Sequence, residues 1–159
     1  MAEDTEQATA GGSSAAPSVD LFGSYRHKVD EKGRVSVPAD FRQFFSGDLV
    51  VTRSPHDEAL YVFDPDGFNA WIDQAFIDKF GKFDSSDPRH VRTRRTLKSR
   101  TAKTSLDKVG RITLPAAIRE MAGIERDVVI LGNTGYFEIW DAKRFDEMDQ
   151  EADVSFLFG

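Results

Sequence analysis

Two stretches of this chain repeat each other: residues 30–42 read DEKGRVSVPADFR, and residues 107–119 read DKVGRITLPAAIR. Six positions are identical at an offset of 77 residues: Asp30/Asp107, Gly33/Gly110, Arg34/Arg111, Pro38/Pro115, Ala39/Ala116 and Arg42/Arg119. Downstream, the same offset relates Val62 to Ile139 and Asp64 to Asp141. Two blocks in one register indicate a tandem duplication, so the fold is expected to consist of two similar halves.

Each repeated unit predicts the same order of short elements. Apolar residues alternate on both sides of the turn at residues 30–33 and predict two short strands, and the proline that follows predicts the first residue of a short helix. Gly47 and Gly123 are predicted to end these helices. Two apolar strands and a second helix follow in each unit, and Asp64 and Asp141 are predicted to cap those helices. An apolar stripe on the same helix indicates a core or a subunit contact: Phe68, Trp71, Ile72, Ala75, Phe76 and Phe80.

The sequence divides into five segments. Residues 1–20 are predicted to be a disordered tail, because their small and polar side chains bury little apolar surface. The first unit covers 21–68, linking helices and a basic segment cover 69–101, the second unit covers 102–145, and an acidic segment covers 146–159. Units of this size are too small to form a stable hydrophobic core alone. We therefore predict an α+β protein whose halves pack as a pseudo-symmetric pair with interleaved strands.

Charge is distributed unevenly along the chain. The net charge is −6, but residues 1–20 carry −4 and residues 145–159 carry −5, which leaves +3 for residues 21–144. Residues 89–106 contain seven lysines and arginines and no carboxylate. Because a polyanion responds to the local field, a basic body between two acidic ends is compatible with nucleic-acid binding.

Several classes of protein are disfavoured by composition. The chain has no cysteine, which excludes disulfides, zinc-thiolate sites, iron–sulfur clusters and cysteine nucleophiles. His27, His56 and His90 have no metal-ligand spacing, and neither a phosphate-binding loop nor a catalytic acid–base arrangement occurs. We predict no enzymatic activity, metal, cofactor or small-molecule substrate. No long apolar run or signal peptide is present, so a cytoplasmic protein with no membrane partner is expected.

The repeated D-x-x-G-R turn is the candidate site. Its paired residues are Asp30 with Arg34 around Gly33, and Asp107 with Arg111 around Gly110. One interpretation is structural, since an Asp–Arg pair can simply hold the turn. The other is functional, because a guanidinium has five donors and its free edge suits a phosphate or the O6 and N7 atoms of guanine. Further candidate DNA-binding cations are Arg26, Lys28, Lys32, Lys103 and Lys108.

These motifs resemble a known family. The pattern G-x-Y-x-H-x-V-D-x-K-G-R-V-S-V-P-A-x-F-R at Gly23–Arg42, with L-D-x-x-G-R-I-T-L-P at Leu106–Pro115 and F-E-I-W at Phe137–Trp140, is similar to the MraZ family of tandem SpoVT/AbrB-type domains. The resemblance extends from Phe22 to about Glu147. It implies swapped-hairpin, split-barrel halves that form an intramolecular pseudo-dimer with connecting and C-terminal helices.

The resemblance also implies a function. Members of this family are cytoplasmic, nucleoid-associated transcriptional regulators that bind direct repeats upstream of the division and cell-wall gene cluster encoding them. Their D-x-x-x-R loops contact double-stranded DNA, and they assemble into ring-shaped homo-oligomers. For this chain the resemblance implies a repressor that acts through Arg34 and Arg111, with phosphate contacts from Lys32 and Lys108. The alternatives are an AbrB-type antitoxin and a structural ring protein without DNA specificity.

The number of aromatic residues predicts self-association without reference to the family. Thirteen phenylalanines are more than a small core readily hides. We expect the residues outside the repeats to be covered by neighbouring subunits or helices, namely Phe76, Phe80, Phe83, Phe156, Leu157 and Phe158. Two similar but non-identical halves favour a head-to-tail contact, which closes into a ring when its rotation permits.

Overall fold

The computed structural model describes residues 19–159 and has the mixed α+β composition that the sequence predicted. Eight strands occur in those residues: β1 Ser24–Lys28, β2 Arg34–Ser36, β3 Asp48–Arg53, β4 Ala59–Phe63, β5 Ala102–Ser105, β6 Arg111–Thr113, β7 Asp127–Gly132 and β8 Phe137–Asp141. Six helices accompany them in the same part of the chain: α1 Ala39–Arg42, α2 Pro65–Phe80, α3 Pro88–Ser99, α4 Ala116–Met121, α5 Ala142–Glu151 and α6 Ser155–Phe158.

The two halves share one antiparallel sheet. Its strand order is β1-β7-β8-β4-β3-β5, so the first strand of each half pairs with a strand of the other half. The strands on either side of each repeated turn therefore do not pair with each other. Instead, β2 and β6 form a separate two-stranded antiparallel ribbon. Neither half can complete its sheet without the other, so the halves are expected to fold as one unit.

An approximate twofold axis relates the halves. Val35 pairs with Ile112 at the centre of the ribbon, and Tyr61 pairs with Glu138 at the centre of the sheet. Both pairs join positions 77 residues apart, which is the offset of the sequence repeat. The duplication is thus expressed as pseudo-symmetry about two central residue pairs.

The main core lies between the ribbon and one face of the sheet. Strand alternation sends Val35 and Ile112 inward from the ribbon, opposite Leu60, Val62 and the other inward residues of the sheet. Phe41 of α1 and Ile118 of α4 belong to the same core. Both repeats contribute to it, which fits the interleaved strands.

Helix α2 covers the other face of the first half. Asp64 caps it as predicted, because its Oδ1 accepts a hydrogen bond from the Gly67 amide at 2.6 Å. Asp141 occupies the N-cap position of α5, but its carboxylate accepts from the Glu125 amide instead of a helix amide. The predicted stripe buries Phe68, Ile72 and Phe76 against Val50, Tyr61 and Phe63 of the sheet, and the side chains of Trp71, Phe83, Leu97 and Tyr136 complete that cluster. The stripe is therefore core over most of its length, whereas Phe80 at its end stays half exposed.

Some predicted boundaries are wrong. Val19 is buried and Asp20 bridges to Thr134, so these two residues of the expected tail pack on the fold; residues 1–18, on which the rest of that prediction falls, lie outside the described part of the chain. Pro38 and Pro115 occupy the N-cap positions of α1 and α4 rather than their first helical positions.

The predicted end of the first short helix also differs from the structure. Gly123 follows α4 as predicted, but α1 ends at Arg42, five residues before Gly47. Residues 43 and 44 form a turn, and Phe45 then enters the core, so the chain leaves helical geometry before Gly47.

Candidate nucleic-acid interface

The first D-x-x-G-R turn is organised by the Asp30 carboxylate. Its Oδ1 accepts hydrogen bonds from the Lys32 amide at 2.9 Å and the Arg34 amide at 2.8 Å. Its Oδ2 accepts the Arg34 Nε donor at 2.7 Å. Gly33 adopts a φ of 79°, the left-handed region that closes this turn, and its amide donates to the Asp30 carbonyl. One carboxylate thus holds the turn backbone and orients a guanidinium at the same time.

The second turn has the same geometry. Asp107 Oδ1 accepts from the Val109 amide at 3.0 Å and the Arg111 amide at 2.9 Å, and Oδ2 accepts Arg111 Nε at 2.9 Å. Gly110 has a φ of 86°. The duplicated sequence therefore produces two equivalent Asp–Arg pairs, as the repeat predicted.

The structural role of the Asp–Arg pair is real, but it leaves donors free. In each turn only Nε of the arginine bonds to the aspartate, and within residues 19–159 the Nη atoms of Arg34 and Arg111 donate no hydrogen bond. The arginine side chains are 31% and 33% exposed. Each aspartate therefore holds its guanidinium in one orientation while the Nη edge stays available to an acceptor.

Hydrogen bonding lowers the pKa of both aspartates. The amide of Arg34 is the largest cause for Asp30, and the amide of Arg111 is the largest cause for Asp107; the paired guanidinium adds to each. The carboxylates consequently remain charged wherever the protein is folded near neutral pH.

These pKa shifts predict how stability depends on pH. Because the folded-state pKa lies below the ordinary 3.8, the charged carboxylates stabilise the fold above about pH 4 and lose that contribution as the pH falls further. The double variant Asp30→Asn/Asp107→Asn should have a lower melting temperature than the wild type at pH 7. This difference in melting temperature should become smaller towards pH 3. Thermal melts across this range measure it, with Asp48→Asn as a control at an exposed carboxylate. A difference in melting temperature that is the same at every pH would contradict the prediction.

The ribbon brings the two arginines onto one surface. Arg34 pairs with Thr113, and Arg111 pairs with Ser36, so all four residues lie on one face of β2 and β6 while Val35 and Ile112 face the core. Arg34 and Arg111 are diagonal neighbours, whose Cα atoms lie about 7–8 Å apart in such a pair. Sequence reasoning did not select Ser36 and Thr113, although their spacing of two residues from each arginine would have placed them on the same strand face.

Each turn glycine is also an inter-repeat contact. The Arg119 side chain of the second half packs over Gly33, and its Nε donates to the Leu114 carbonyl at 3.0 Å. Arg42 of the first half packs over Gly110 and donates to the Val37 carbonyl at 2.9 Å. The last arginine of each repeat is therefore structural, and it caps a carbonyl rather than pairing with a neighbouring carboxylate.

The crowding over Gly110 predicts a destabilising substitution. In Gly110→Ala the new Cβ would lie 2.6 Å from Cδ of Arg42, in addition to the strain of a positive φ. Gly47→Ala is a matched control, since Gly47 has a φ of 73° and nothing within 4 Å of a new Cβ. We expect about 1–2 kcal/mol of strain in both variants and an additional loss in Gly110→Ala alone. Urea denaturation gives the unfolding midpoint of each variant. Equal midpoints would show that the crowding against Arg42 does not affect stability.

The remaining predicted cations lie in two settings. Lys32 and Lys108 are exposed within the turns themselves, beside the arginines. Arg26 and Lys28 lie on β1 and bond to Asp146 and Asp127 of the second half, and Lys103 is exposed on β5. The structure thus places two predicted lysines at the turns, while two other cations are already neutralised.

Loop residues add a basic group that the repeat did not reveal. Arg126 lines an open cleft beside the first turn together with Arg119, Glu125 and Lys32. The Arg126 carbonyl accepts the Val29 amide at 2.8 Å, which fixes the loop against the end of β1. No signal in the repeat identifies Arg126, because it reaches the turn only through the exchange of strands.

Nothing in the described residues resembles a metal centre or a membrane span. Within residues 19–159 no three histidine, aspartate or glutamate side chains come together as ligands for a metal ion. No helix in that range is both long and apolar enough to cross a bilayer.

Comparison with known proteins identifies the family. A family model described as "MraZ protein" and as "antitoxin-like" matches residues 21–88 and 98–157, which together make up most of the chain. The chain belongs to the MraZ family. The matched segments of this MraZ-family chain correspond to its two repeats, and the break between them falls on α3.

Curated relatives cover nearly the whole MraZ-family chain. "Transcriptional regulator MraZ" of Mycolicibacterium smegmatis is 36% identical over 86% of this chain and 91% of its own length. The proteins of the same name from Natranaerobius thermophilus and Mycobacterium ulcerans are 34% and 37% identical over the same shares. These names describe a non-enzymatic role. The solution structure of PHS018 from Pyrococcus horikoshii aligns with a TM-score of only 0.29 at 15% identity, over 76% of this chain and 89% of its own.

Proposed function

We propose that this protein is a sequence-specific, DNA-binding transcriptional regulator that represses the division and cell-wall gene cluster from direct repeats upstream of its own operon. It would act in the cytoplasm, associated with the nucleoid. The names of the curated relatives support the regulatory role. The pairing of β1 with β7 and of β5 with β3 supports tandem AbrB-like halves of the swapped-hairpin type.

The β2–β6 ribbon carries the proposal. A two-stranded ribbon fits the major groove of B-DNA, where a free guanidinium edge can bond guanine O6 and N7. Arg34 and Arg111 lie on the exposed face of this ribbon, and Asp30 and Asp107 hold them in position before binding. Ordering an arginine costs side-chain entropy, so a guanidinium that is already oriented binds at a smaller cost.

Phosphate contacts complete the interface. Lys32 and Lys108 flank the arginines within the turns and would fix the register on the duplex without reading sequence. Lys103 would not reach the same duplex, because it pairs with Val50 on the sheet face opposite the ribbon. Arg26 and Lys28 would contribute less than the turn lysines, because each is paired with an aspartate. The acidic segment after residue 145 would stay away from the DNA.

The proposed assembly is a head-to-tail ring of identical chains. Each copy presents one ribbon, so several direct repeats about one helical turn apart would be held by avidity. Apolar side chains at Phe80 and Phe156–Phe158 are exposed in the single chain, as an unassembled subunit would leave them.

Footprinting of the region upstream of the gene, followed by titration with one, two and three repeats, tests this function. We expect protected direct repeats, an affinity that rises steeply with repeat number, and a linear fall of the logarithm of affinity with the logarithm of salt concentration. Light scattering reports the assembly in the same samples. Salt-independent or sequence-independent retention would instead support a structural ring protein, and neutralisation of a toxin without protection of the upstream region would support an antitoxin.

A further inference from the structure

A second basic surface lies on α3, away from the ribbon. Residues 88–100 contain six lysines and arginines and no carboxylate. Three of these cations have local partners: Arg89 pairs with Asp87, Arg94 pairs with Asp73 and stacks 3.6 Å over the Phe83 ring, and Lys98 bonds to Asn69. Arg92, Arg95 and Arg100 are exposed and have no ion pair within residues 19–159. We call this surface the α3 face.

The α3 face points away from the proposed DNA-binding ribbon. Leu97 of α3 packs against the cluster that contains Val50 and Tyr61 on one face of the sheet, whereas the ribbon packs on the opposite face. The sheet therefore separates the two surfaces, by a layer spacing of about 10 Å on each side. A duplex bound to the ribbon leaves the α3 face uncovered.

Apolar side chains lie beside Arg95 and beside the start of α3: Phe83 and Val91 line an open cleft with Arg95, and the exposed end of α2 lies near His90. Phe80 at the end of α2 is 51% exposed, and Ile77 one turn earlier is exposed to a similar extent. The Phe80 ring lies 4.5 Å from the ring of His90, which is buried on α3. The surface thus combines unpaired arginines with an apolar edge, and an occupant must offer both carboxylates and apolar groups.

The C-terminal segment of the chain has the complementary composition in consecutive residues. On α5, Glu147, Asp149 and Glu151 are exposed and form no ion pair within residues 19–159. Directly after them, Phe156 is 92% exposed, and Leu157 and Phe158 are nearly as open. Neither α5 nor α6 buries a residue in the single chain.

We infer that the α5–α6 segment of one copy docks on the α3 face of the next copy, with Glu147 and Glu151 against Arg92 and Arg95 and the phenylalanines against Ile77 and Phe80. A nucleic acid would neutralise the arginines but leave the apolar side chains of both segments in water, so the observations favour a protein occupant. Within one chain the α3 face and the α5–α6 segment both stay exposed, so they do not cover each other. Because the α5–α6 segment has the complementary composition, we assign the occupant to a second copy. This inference rests on the proposed head-to-tail assembly and supplies its contact.

A charge exchange between two variants tests the contact. In Arg92→Glu/Arg95→Glu the α3 face becomes acidic, and in Glu147→Arg/Glu151→Arg the C-terminal segment becomes basic. Each variant alone places like charges opposite each other, and we expect its self-association to weaken by about tenfold or more. An equimolar mixture of the two restores opposite charges at every contact, so we expect the mixture to assemble like the wild type.

Sedimentation velocity measures association of each variant and of the mixture, with thermal melts to verify folding. Arg53→Glu is a matched control, because it reverses an exposed arginine at the end of β3 and should leave association unchanged. The proposed contact would be overturned if either variant self-associated alone like the wild type, or if the mixture did not regain wild-type association.

Binding of one DNA repeat is measured in parallel to separate the two proposals. Both variants should bind a single repeat as the wild type does, because that readout depends on the ribbon. A large loss of single-repeat affinity in Arg92→Glu/Arg95→Glu, with association intact, would overturn the contact and assign the α3 face to DNA. Failure of the wild type to bind the repeat would overturn the proposed function. The charge-exchange experiment would still test the proposed contact, because it measures self-association and not DNA binding.

Discussion

The double variant Arg34→Ala/Arg111→Ala is expected to lose specific DNA binding while keeping its fold. A bidentate arginine contact with a guanine contributes about 1–3 kcal/mol, which corresponds to a loss of about 5- to 150-fold in affinity for each site. Arg34 and Arg111 bond to different aspartates, so each single variant should lose affinity, and the double variant should lose more than either one. Fluorescence anisotropy with a duplex containing one repeat measures the effect.

Two controls separate charge from geometry in that experiment. Arg34→Lys/Arg111→Lys retains the charge but loses the planar fork, so it should recover non-specific affinity and little specificity. Arg53→Ala removes an exposed arginine far from the turns and should bind normally. A collapse of the melting temperature with normal residual binding would show that the Asp–Arg pairs only hold the turns.

Phe137→Ala should destabilise the fold more than the glycine and aspartate substitutions do. The Phe137 ring is 0% exposed and packs edge-to-face on Phe45, with centroids 5.4 Å apart, and tilted on Phe41 at 5.7 Å. Truncation of a buried phenylalanine removes apolar burial and leaves a cavity, and it typically costs about 3–5 kcal/mol. Urea denaturation measures the loss in free energy of unfolding.

The same substitution tests whether the halves fold together. Phe137 belongs to the second half, whereas Phe41 and Phe45 belong to the first. We therefore expect one shifted transition rather than selective unfolding of the second half. Phe22→Ala, at an exposed phenylalanine, is the matched control and should change stability by less than about 0.5 kcal/mol. Two separate transitions in Phe137→Ala would contradict the shared core.

The turns were predictable from the sequence to the level of individual bonds. A glycine that must have positive φ, preceded by an aspartate and followed by an arginine, leaves few arrangements open, and both turns adopt the same one. The cap at Asp64 was predictable for the same reason, because capping depends on residues three positions apart. Predictions failed where tertiary packing outweighed a local signal, as at Gly47, where Phe45 turns into the core after α1 has ended.

The duplication, the order of elements and the local chemistry of the two Asp–Arg turns follow from the amino-acid sequence alone, because each depends on residues close together in the chain. Which strands pair is set only by the three-dimensional packing, and that pairing places Arg34 and Arg111 on one ribbon face. The same packing makes Arg42 and Arg119 cover the glycine of the opposite repeat, and it lets Asp146 neutralise Arg26. These contacts join residues about 70 to 120 positions apart, and neither composition nor periodicity encodes their pairing because it arises only when the two halves exchange strands to close a common core.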